Sequence, residues 1–290
     1  MSKSTIKIDA CDDGVEHHYE VTEHVAHVQT ARQKIEIDIY KRFGLGVWID
    51  GWPQCAEFDS DRYHEALVHP ALIQRAGSET PFSACILGGG DFGAVNQLVK
   101  YKNLASAHMI DWDLEFIELT KQHLKPIHHD SWKDPRVSVE MDHPDVFAFF
   151  KANTKLYDIV FGDLTDLTSM GSGVKSFIEQ IKALMTPDGV FVSQSSEYPT
   201  MPQQHDEFVS MVQMVQSIFK KVWIYRTYIP SFAYEQAFIL GSDDASFNPL
   251  AASPHAIDEQ IACLGQPLTE YTGAIHHGMF ALPPSLTARL

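Results

Sequence analysis

Cysteine is scarce and unpaired in this chain. Cys11, Cys55, Cys85 and Cys263 lie far apart and no Cys-x-x-Cys pair occurs, which reads as reduced thiols in a cytoplasmic compartment. Long apolar runs are missing: no stretch approaches the roughly 18 uninterrupted apolar residues that a transmembrane helix needs. The opening Met1-Ser2-Lys3-Ser4-Thr5 leads into no apolar segment, so no secretory leader is expected. Positive charge is also short, with 22 Lys and Arg against 38 Asp and Glu and a formal net charge of −16. Such a surface repels nucleic acid and anionic lipid and favours small cationic partners, although solubility alone also accounts for it. Repeats and low-complexity tracts are absent. The 15 histidines include the pairs His17-His18, His128-His129 and His276-His277, but none has further ligands at metal-site spacing, and no metal is expected.

What is present is an ordinary globular core, 44% hydrophobic over 290 residues, enough for one large domain or two small ones. Residues 1 to about 16 are polar and read as a loose or edge segment. From there to Gln54 the pattern is strand-like, most clearly at Gln33-Lys34-Ile35-Glu36-Ile37-Asp38-Ile39-Tyr40, which alternates with period two. A helix is expected from a cap at Asp59 or Ser60 to about Ile73, disturbed near Pro70. Strand and helix then alternate: strands at 84–87, 107–111, 136–142, 157–163 and 189–194, helices at 94–101, 114–124, 146–152, 176–184 and 207–219, and two last strands near 222–228 and 236–241. That alternation predicts a mostly parallel sheet covered on both faces. The expected division is a β domain over 1–58 and an α/β nucleoside-binding domain over 59–290.

The organising stretch is Ala84-Cys85-Ile86-Leu87-Gly88-Gly89-Gly90-Asp91-Phe92-Gly93. An apolar strand ends in three glycines, where the backbone can bend sharply and a ligand can approach closely. Asp91 puts a negative charge in the turn, which disfavours phosphate and suits an amine or a hydroxyl. A plain tight turn is the alternative. The next strands also end in acids, at Asp111, Asp142 and Asp163, with Asp166 beyond. Ligands of open α/β sheets sit at those strand ends, so these carboxylates are expected to line one crevice. Asp111 stands 20 residues after Asp91, the spacing of a ribose-binding acid; helix capping is its other reading. Crowded acids raise one another's pKa unless a cation arrives. A sulfonium nucleoside and an amine acceptor satisfy that requirement, and a dinucleotide pyrophosphate does not.

At these residues the sequence resembles the spermidine synthase family, the polyamine aminopropyltransferases. The family's Gly-Gly-Gly-Asp-Gly-Gly turn is matched by Gly88 to Gly93 except at Phe92. Its Tyr-His-Glu-Met-Leu-Val-His helix is matched by Tyr63-His64-Glu65-Ala66-Leu67-Val68-His69. Its Leu-Asp-Gly-x-x-Gln hairpin is matched by Ile49-Asp50-Gly51-Trp52-Pro53-Gln54, and its closing stretch by His276 through Phe280-Ala281-Leu282-Pro283. The likeness runs from about residue 28 to the end. It implies a Rossmann-like, class I methyltransferase-type α/β fold with a small antiparallel N-terminal β domain, and a homodimer or homotetramer. It implies transfer of an aminopropyl group from decarboxylated S-adenosylmethionine to putrescine or a related amine, with no prosthetic group. By resemblance, the donor is held by Gln33, Gln54, Gly88, Gly90, Asp91 on its amine, Asp111 on the ribose, Asp142 on the adenine amino group, and neighbouring His143. Asp163 is the implied base that orients and deprotonates the acceptor. Tyr63, His64, Asp166, Glu197 and Phe232 stand at the acceptor side, Phe232 replacing a tyrosine.

The departures fall mainly on acceptor and lid. Phe92 puts a phenyl ring where a glycine lets the ligand pass, and is expected to narrow or reshape the pocket. The Gly-Asp-Gly of the third strand becomes Met141-Asp142-His143-Pro144. The proline after Asp166 is gone, and the covering loop is shortened to Thr168-Ser169-Met170-Gly171-Ser172-Gly173. Two other readings compete: transfer from intact S-adenosylmethionine, such as N-methylation of a diamine, and an inactive partner subunit. No Lys or Arg stands in these motifs to receive the intact donor's carboxylate, which favours the decarboxylated donor. His64 and His69 read as local hydrogen-bond partners, Trp48 and Trp52 as packing between the hairpin and the sheet, and Cys85 as buried and inert.

Overall fold

The computed structural model describes residues 5–10, 15–141, 143–164, 173–199 and 202–290. The first five strands, β1 (Thr5–Ala10), β2 (Glu16–Gln29), β3 (Lys34–Tyr40), β4 (Gly44–Ile49) and β5 (Trp52–Ala56), form an antiparallel sheet in sequence order. The period-two alternation of β3 gives its two faces different tasks. Ile35 and Ile37, with Val47, pack on Phe116, Leu124 and Ile127 of the chain that follows. Tyr40 and Trp48 on the other face gather with Tyr19 and Phe43. Trp48 is buried as expected of a packing residue, but Trp52 is 54% exposed at the hairpin tip. The two do not act together, because the turn at Asp50 and Gly51 carries Trp52 out of the sheet's packed face.

The rest of the chain is a layered α/β unit. Its strands are β6 (Phe82–Gly88), β7 (Leu104–Ile110), β8 (Val137–Glu140), β9 (Tyr157–Asp163), β10 (Met185–Glu197), β11 (Lys221–Ile229) and β12 (Tyr234–Ser242). They lie in the order β11-β12-β10-β9-β6-β7-β8, with only β12 antiparallel to its neighbours. The helices are α1 (Ser60–Leu72), α2 (Gly93–Leu98), α3 (Leu114–His123), α4 (Lys125–His128), α5 (Val146–Ala152), α6 (Val174–Ala183), α7 (Pro202–Gln216), and α8 (Pro254–Ile261), α9 (Gly273–Met279) and α10 (Pro284–Thr287) in the tail. They cover both sheet faces and enclose two large apolar cores. This is the methyltransferase-type arrangement expected from the sequence. Among the described residues no helix is long and apolar enough to cross a membrane.

Two local expectations are corrected. Asp59 precedes α1 but does not cap it with its side chain; its carboxylate accepts hydrogen bonds from the Ser231 amide (2.6 Å) and hydroxyl (2.9 Å) instead. The helix after the glycine turn stops at Leu98 rather than 101, because the amides of Lys100 and Tyr101 bond back only three residues, to Gln97 and Leu98. That tightening brings the Tyr101 hydroxyl to His69 at 2.8 Å.

Candidate active site

The last residue of β6, Gly88, pairs with the last residue of β9, Asp163. These strands flank the point where strand order reverses, the place at which open α/β sheets hold ligands. Gly88 has φ +83°, and a Cβ there would lie 2.2 Å from the Asp163 carbonyl oxygen, so only glycine lets the strand ends meet. Gly93 gives equivalent room to a side chain: a Cβ on it would lie 2.1 Å from the His64 ring. Between them, a Cβ on Gly90 would stand 2.8 Å from Asp111 Oδ2. The turn therefore touches both the β7 acid and the β9 acid.

The centre of the site is a charged trio. His64 Nε2 lies 3.3 Å from Asp91 Oδ2, while His64 Nδ1 donates to the Ser60 carbonyl at 2.8 Å. Asp91 Oδ1 accepts the Gly93 amide at 2.8 Å. The ligand-type atoms of His64, Asp91 and Asp163 all lie within 4.8 Å of one another. Burial alone would lower the His64 pKa, but the Asp91 carboxylate, with Asp163 behind it, raises it to about 9. Burial would raise Asp91, yet the His64 charge and the Gly93 amide bring it below the ordinary carboxylate range. Asp163 is pushed up to about 6 by burial and then by the Asp91 charge, against His64 and the Tyr63 hydroxyl. Two neighbouring carboxylates thus have separated proton affinities, one held by an imidazolium and one poised to exchange a proton.

Beside this trio, Tyr63 donates its hydroxyl to Asp163 Oδ1 at 2.8 Å. Its ring stands 6.0 Å from that of Phe232 and 5.6 Å from that of Phe238. Phe232 sits in the β11–β12 turn, which Asp59 pins through Ser231 and Tyr19 pins through the Ser231 carbonyl (2.9 Å). The motif Tyr63-His64-Glu65 divides its work. Tyr63 reaches Asp163, His64 reaches Asp91, and Glu65 turns away to accept the Thr269 and Glu270 amides, both at 2.8 Å. His69 is structural, bonded to Tyr101 and Gln97. Glu197 is exposed at the end of β10. Asp166 and the shortened loop 168–172 lie outside the described residues.

Across the glycine turn, Asp111 follows β7 and accepts the Asp113 amide at 3.0 Å through Oδ1. The cap of α3 is Asp113, which accepts the Glu115 and Phe116 amides and the Thr30 hydroxyl at 2.8 Å. Capping is therefore not the task of Asp111. Burial holds the Asp111 carboxyl at about 6, against the amides of Asp113 and Trp112. Asp142 lies outside the described residues. His143 pairs with Glu140 at 2.5 Å and meets the Phe149 ring edge-on. Gln54 is exposed in the register shift of β5, donating to the Trp52 carbonyl at 3.3 Å. Among the described contacts, none joins Gln33, Gln54 or His143 to the glycine turn.

One expectation fails outright: Phe92 does not narrow the pocket. Its side chain is 0% exposed and belongs to the main core, with the His128 ring 6.3 Å away. The reason is backbone geometry. Phe92 has φ +61°, an unusual conformation for a bulky residue, held here while its ring packs inside the domain. One residue near the turn was not signalled by the sequence. The buried Cys55 thiol, on β5, hydrogen-bonds Asp91 and is driven well above its ordinary pKa by burial and that carboxylate. An isolated cysteine on a strand carries no pattern that would reveal this.

The sequence model of the spermine/spermidine synthase domain matches residues 60–248, from the start of α1 past the end of β12. The chain belongs to this family. Among similar spermine/spermidine synthase relatives is a polyamine aminopropyltransferase of Pyrobaculum calidifontis, 31% identical over 257 residues, covering 87% of this chain and 86% of that protein. Another polyamine aminopropyltransferase, from a Synechococcus strain, is 30% identical over 280 residues, covering 92% and 86%. The spermidine synthase structure from Thermotoga maritima superposes with a TM-score of 0.83 at 19% identity, covering 98% of this chain and 94% of that one. That likeness is one of fold.

Proposed function

We propose that this chain transfers an aminopropyl group from decarboxylated S-adenosylmethionine to putrescine or a related amine, releasing methylthioadenosine. The observation that carries the reading is the split carboxylate pair, Asp91 low beside His64 and Asp163 near 6 beside Tyr63. The acceptor nitrogen attacks the carbon next to the sulfonium. A C–N bond forms, the C–S bond breaks, and its electron pair neutralises the sulfur. The proton shed by the amine goes to Asp163, whose affinity suits a general base near neutral pH. Alignment of nitrogen, carbon and sulfur supplies much of the remaining acceleration.

In this reading Asp91 holds the donor's amine, Asp111 the ribose hydroxyls, and Asp142, with His143 beside it, the adenine. Gln33 and Gln54 reach the nucleoside from the N-terminal sheet, Gln54 by leaving the Trp52 carbonyl. Tyr63, His64, Phe232, Asp166 and Glu197 shape the acceptor side. The two aromatic faces of Tyr63 and Phe232 favour an alkyl chain ending in a cation.

Charge selects the donor. Among the described residues no lysine or arginine pairs with Asp91 or Asp163; the cation beside them is His64. The carboxylate of intact S-adenosylmethionine would meet two acids with no new partner. Equilibrium titration tests this. Decarboxylated S-adenosylmethionine should bind at least about ten-fold tighter than the intact nucleoside, a difference of about 1.4 kcal/mol. Equal affinity, or preference for the intact form, contradicts the reading.

A further inference from the structure

β2 carries His24-Val25-Ala26-His27. In a regular strand, residues three apart face opposite sides of the sheet. This strand is not regular there. Its pairing with β3 shifts between His24 and Ala26, so that His24 lies opposite Asp38, Ala26 opposite Ile37 and His27 opposite Glu36. The one extra residue returns His27 to the face of His24. Asp38 and Glu36, two apart on β3, share that face.

The consequence is a convergence of three ligand-type groups. His24 Nδ1 lies 2.8 Å and His27 Nε2 lies 2.7 Å from the same atom, Asp38 Oδ1. The three groups keep their donor atoms within 4.8 Å of one another. The two rings meet edge to face with centroids 4.8 Å apart. Asp38 is fully buried at the floor, whereas the His24 and His27 side chains are 50% and 38% exposed. The second oxygen, Asp38 Oδ2, accepts from Lys7 at 2.8 Å and Tyr40 at 3.4 Å.

We propose that His24 Nδ1, His27 Nε2 and Asp38 Oδ1 form a binding site for one divalent transition metal of the zinc class, with solvent completing the shell. Two imidazoles and a carboxylate suit zinc, and also nickel or copper, whereas calcium and magnesium prefer all-oxygen sets. Metal–ligand bonds near 2.0–2.1 Å in a tetrahedron separate ligand atoms by roughly 3.3 Å, so each imidazole nitrogen has to move outward from Asp38 Oδ1 by about 0.5 Å, and the two nitrogens, within 4.8 Å of each other, have to settle at that same separation. Their exposure leaves room for that movement. Lys7 engages Oδ2, keeping Asp38 monodentate and oriented, as an outer-shell partner does. The site lies on the sheet face opposite Ile35 and Ile37, which pack toward α3 and α4. It is thus separate from the catalytic crevice, and its effect is to tie the bulged strand β2 to β3.

The test uses the full chain stripped with a chelator and titrated with Zn²⁺ against a chromogenic competitor. One equivalent should bind, and His24→Gln or His27→Gln should each weaken uptake by about 100-fold or more. His255→Gln, on surface helix α8, should change nothing. Zn²⁺ should raise the Tm of the parent protein but not of His27→Gln. Imidazole ¹⁵N spectra of the unaltered protein give a check that needs no variant: Zn²⁺ should shift Nδ1 of His24 and Nε2 of His27. Absence of stoichiometric uptake would overturn the proposal, as would uptake that survives both glutamine variants and is lost in His64→Gln.

Discussion

The Tyr63 hydroxyl donates a 2.8 Å hydrogen bond to Asp163 Oδ1, joining residues 100 apart in sequence. The bond favours the ionised carboxylate and opposes the burial and the Asp91 charge that raise its pKa. Tyr63→Phe removes the hydroxyl and keeps the ring beside Phe232. The Asp163 pKa should then rise above about 6 and kcat should fall by about ten-fold, with the acid limb of the pH profile moving upward. A limb that stays in place would show that the bond does not tune Asp163.

Asp163→Asn removes the proposed base and should lower kcat by about 10²–10⁴-fold. Its effect on stability has the opposite sign. A carboxyl whose pKa is raised on folding binds more protons in the native state than in the unfolded state. Its contribution is therefore lost as pH climbs from the unfolded value of 3.8 to the folded value of about 6. At pH 7.5 the asparagine variant should be more stable than the parent by roughly 1–2 kcal/mol. Thermal unfolding at that pH checks this, and a lower Tm would contradict it.

The same values predict how turnover responds to pH. In kcat/KM, which reports the free enzyme, activity should rise through about pH 6 as Asp163 ionises. In kcat the limb should lie at lower pH, because a bound dication stabilises the carboxylate. Above about pH 9 His64 loses its proton and Asp91 its counter-charge. Initial rates across pH 5 to 10, at limiting and at saturating donor, separate these limbs. Superimposable limbs in kcat and kcat/KM would count against a cationic donor beside Asp163.

Phe92→Ala distinguishes a core residue from a pocket residue. With the ring fully buried, its loss should cost about 3–5 kcal/mol of stability. The donor KM at a temperature where the variant is folded should change by less than about three-fold. A large fall in KM, as expected if the ring crowded the donor, would restore the reading that the sequence comparison suggests.

Legibility followed the range of the interactions involved. The β3 alternation and the apolar runs ending at Asp91, Asp111 and Asp163 are written in adjacent residues, and they led to the sheets and the crevice. The Phe92 reading failed because a motif comparison assigns a ring to a glycine's place without knowing the backbone angle that aims it. The tasks of Asp59 and Asp113 were likewise hidden, since Ser231 and Thr30, their partners, stand 172 and 83 residues away. The convergence of His24 and His27 depends on one bulge, whereas regular strand periodicity would set the two on opposite faces.

The most direct test of the account is a single reaction. The protein is incubated with putrescine and either decarboxylated or intact S-adenosylmethionine, and the nucleoside products are separated. Methylthioadenosine and an aminopropylated amine should form from the decarboxylated donor, with no turnover of the intact one. S-adenosylhomocysteine from the intact donor, with no methylthioadenosine from the other, would contradict it.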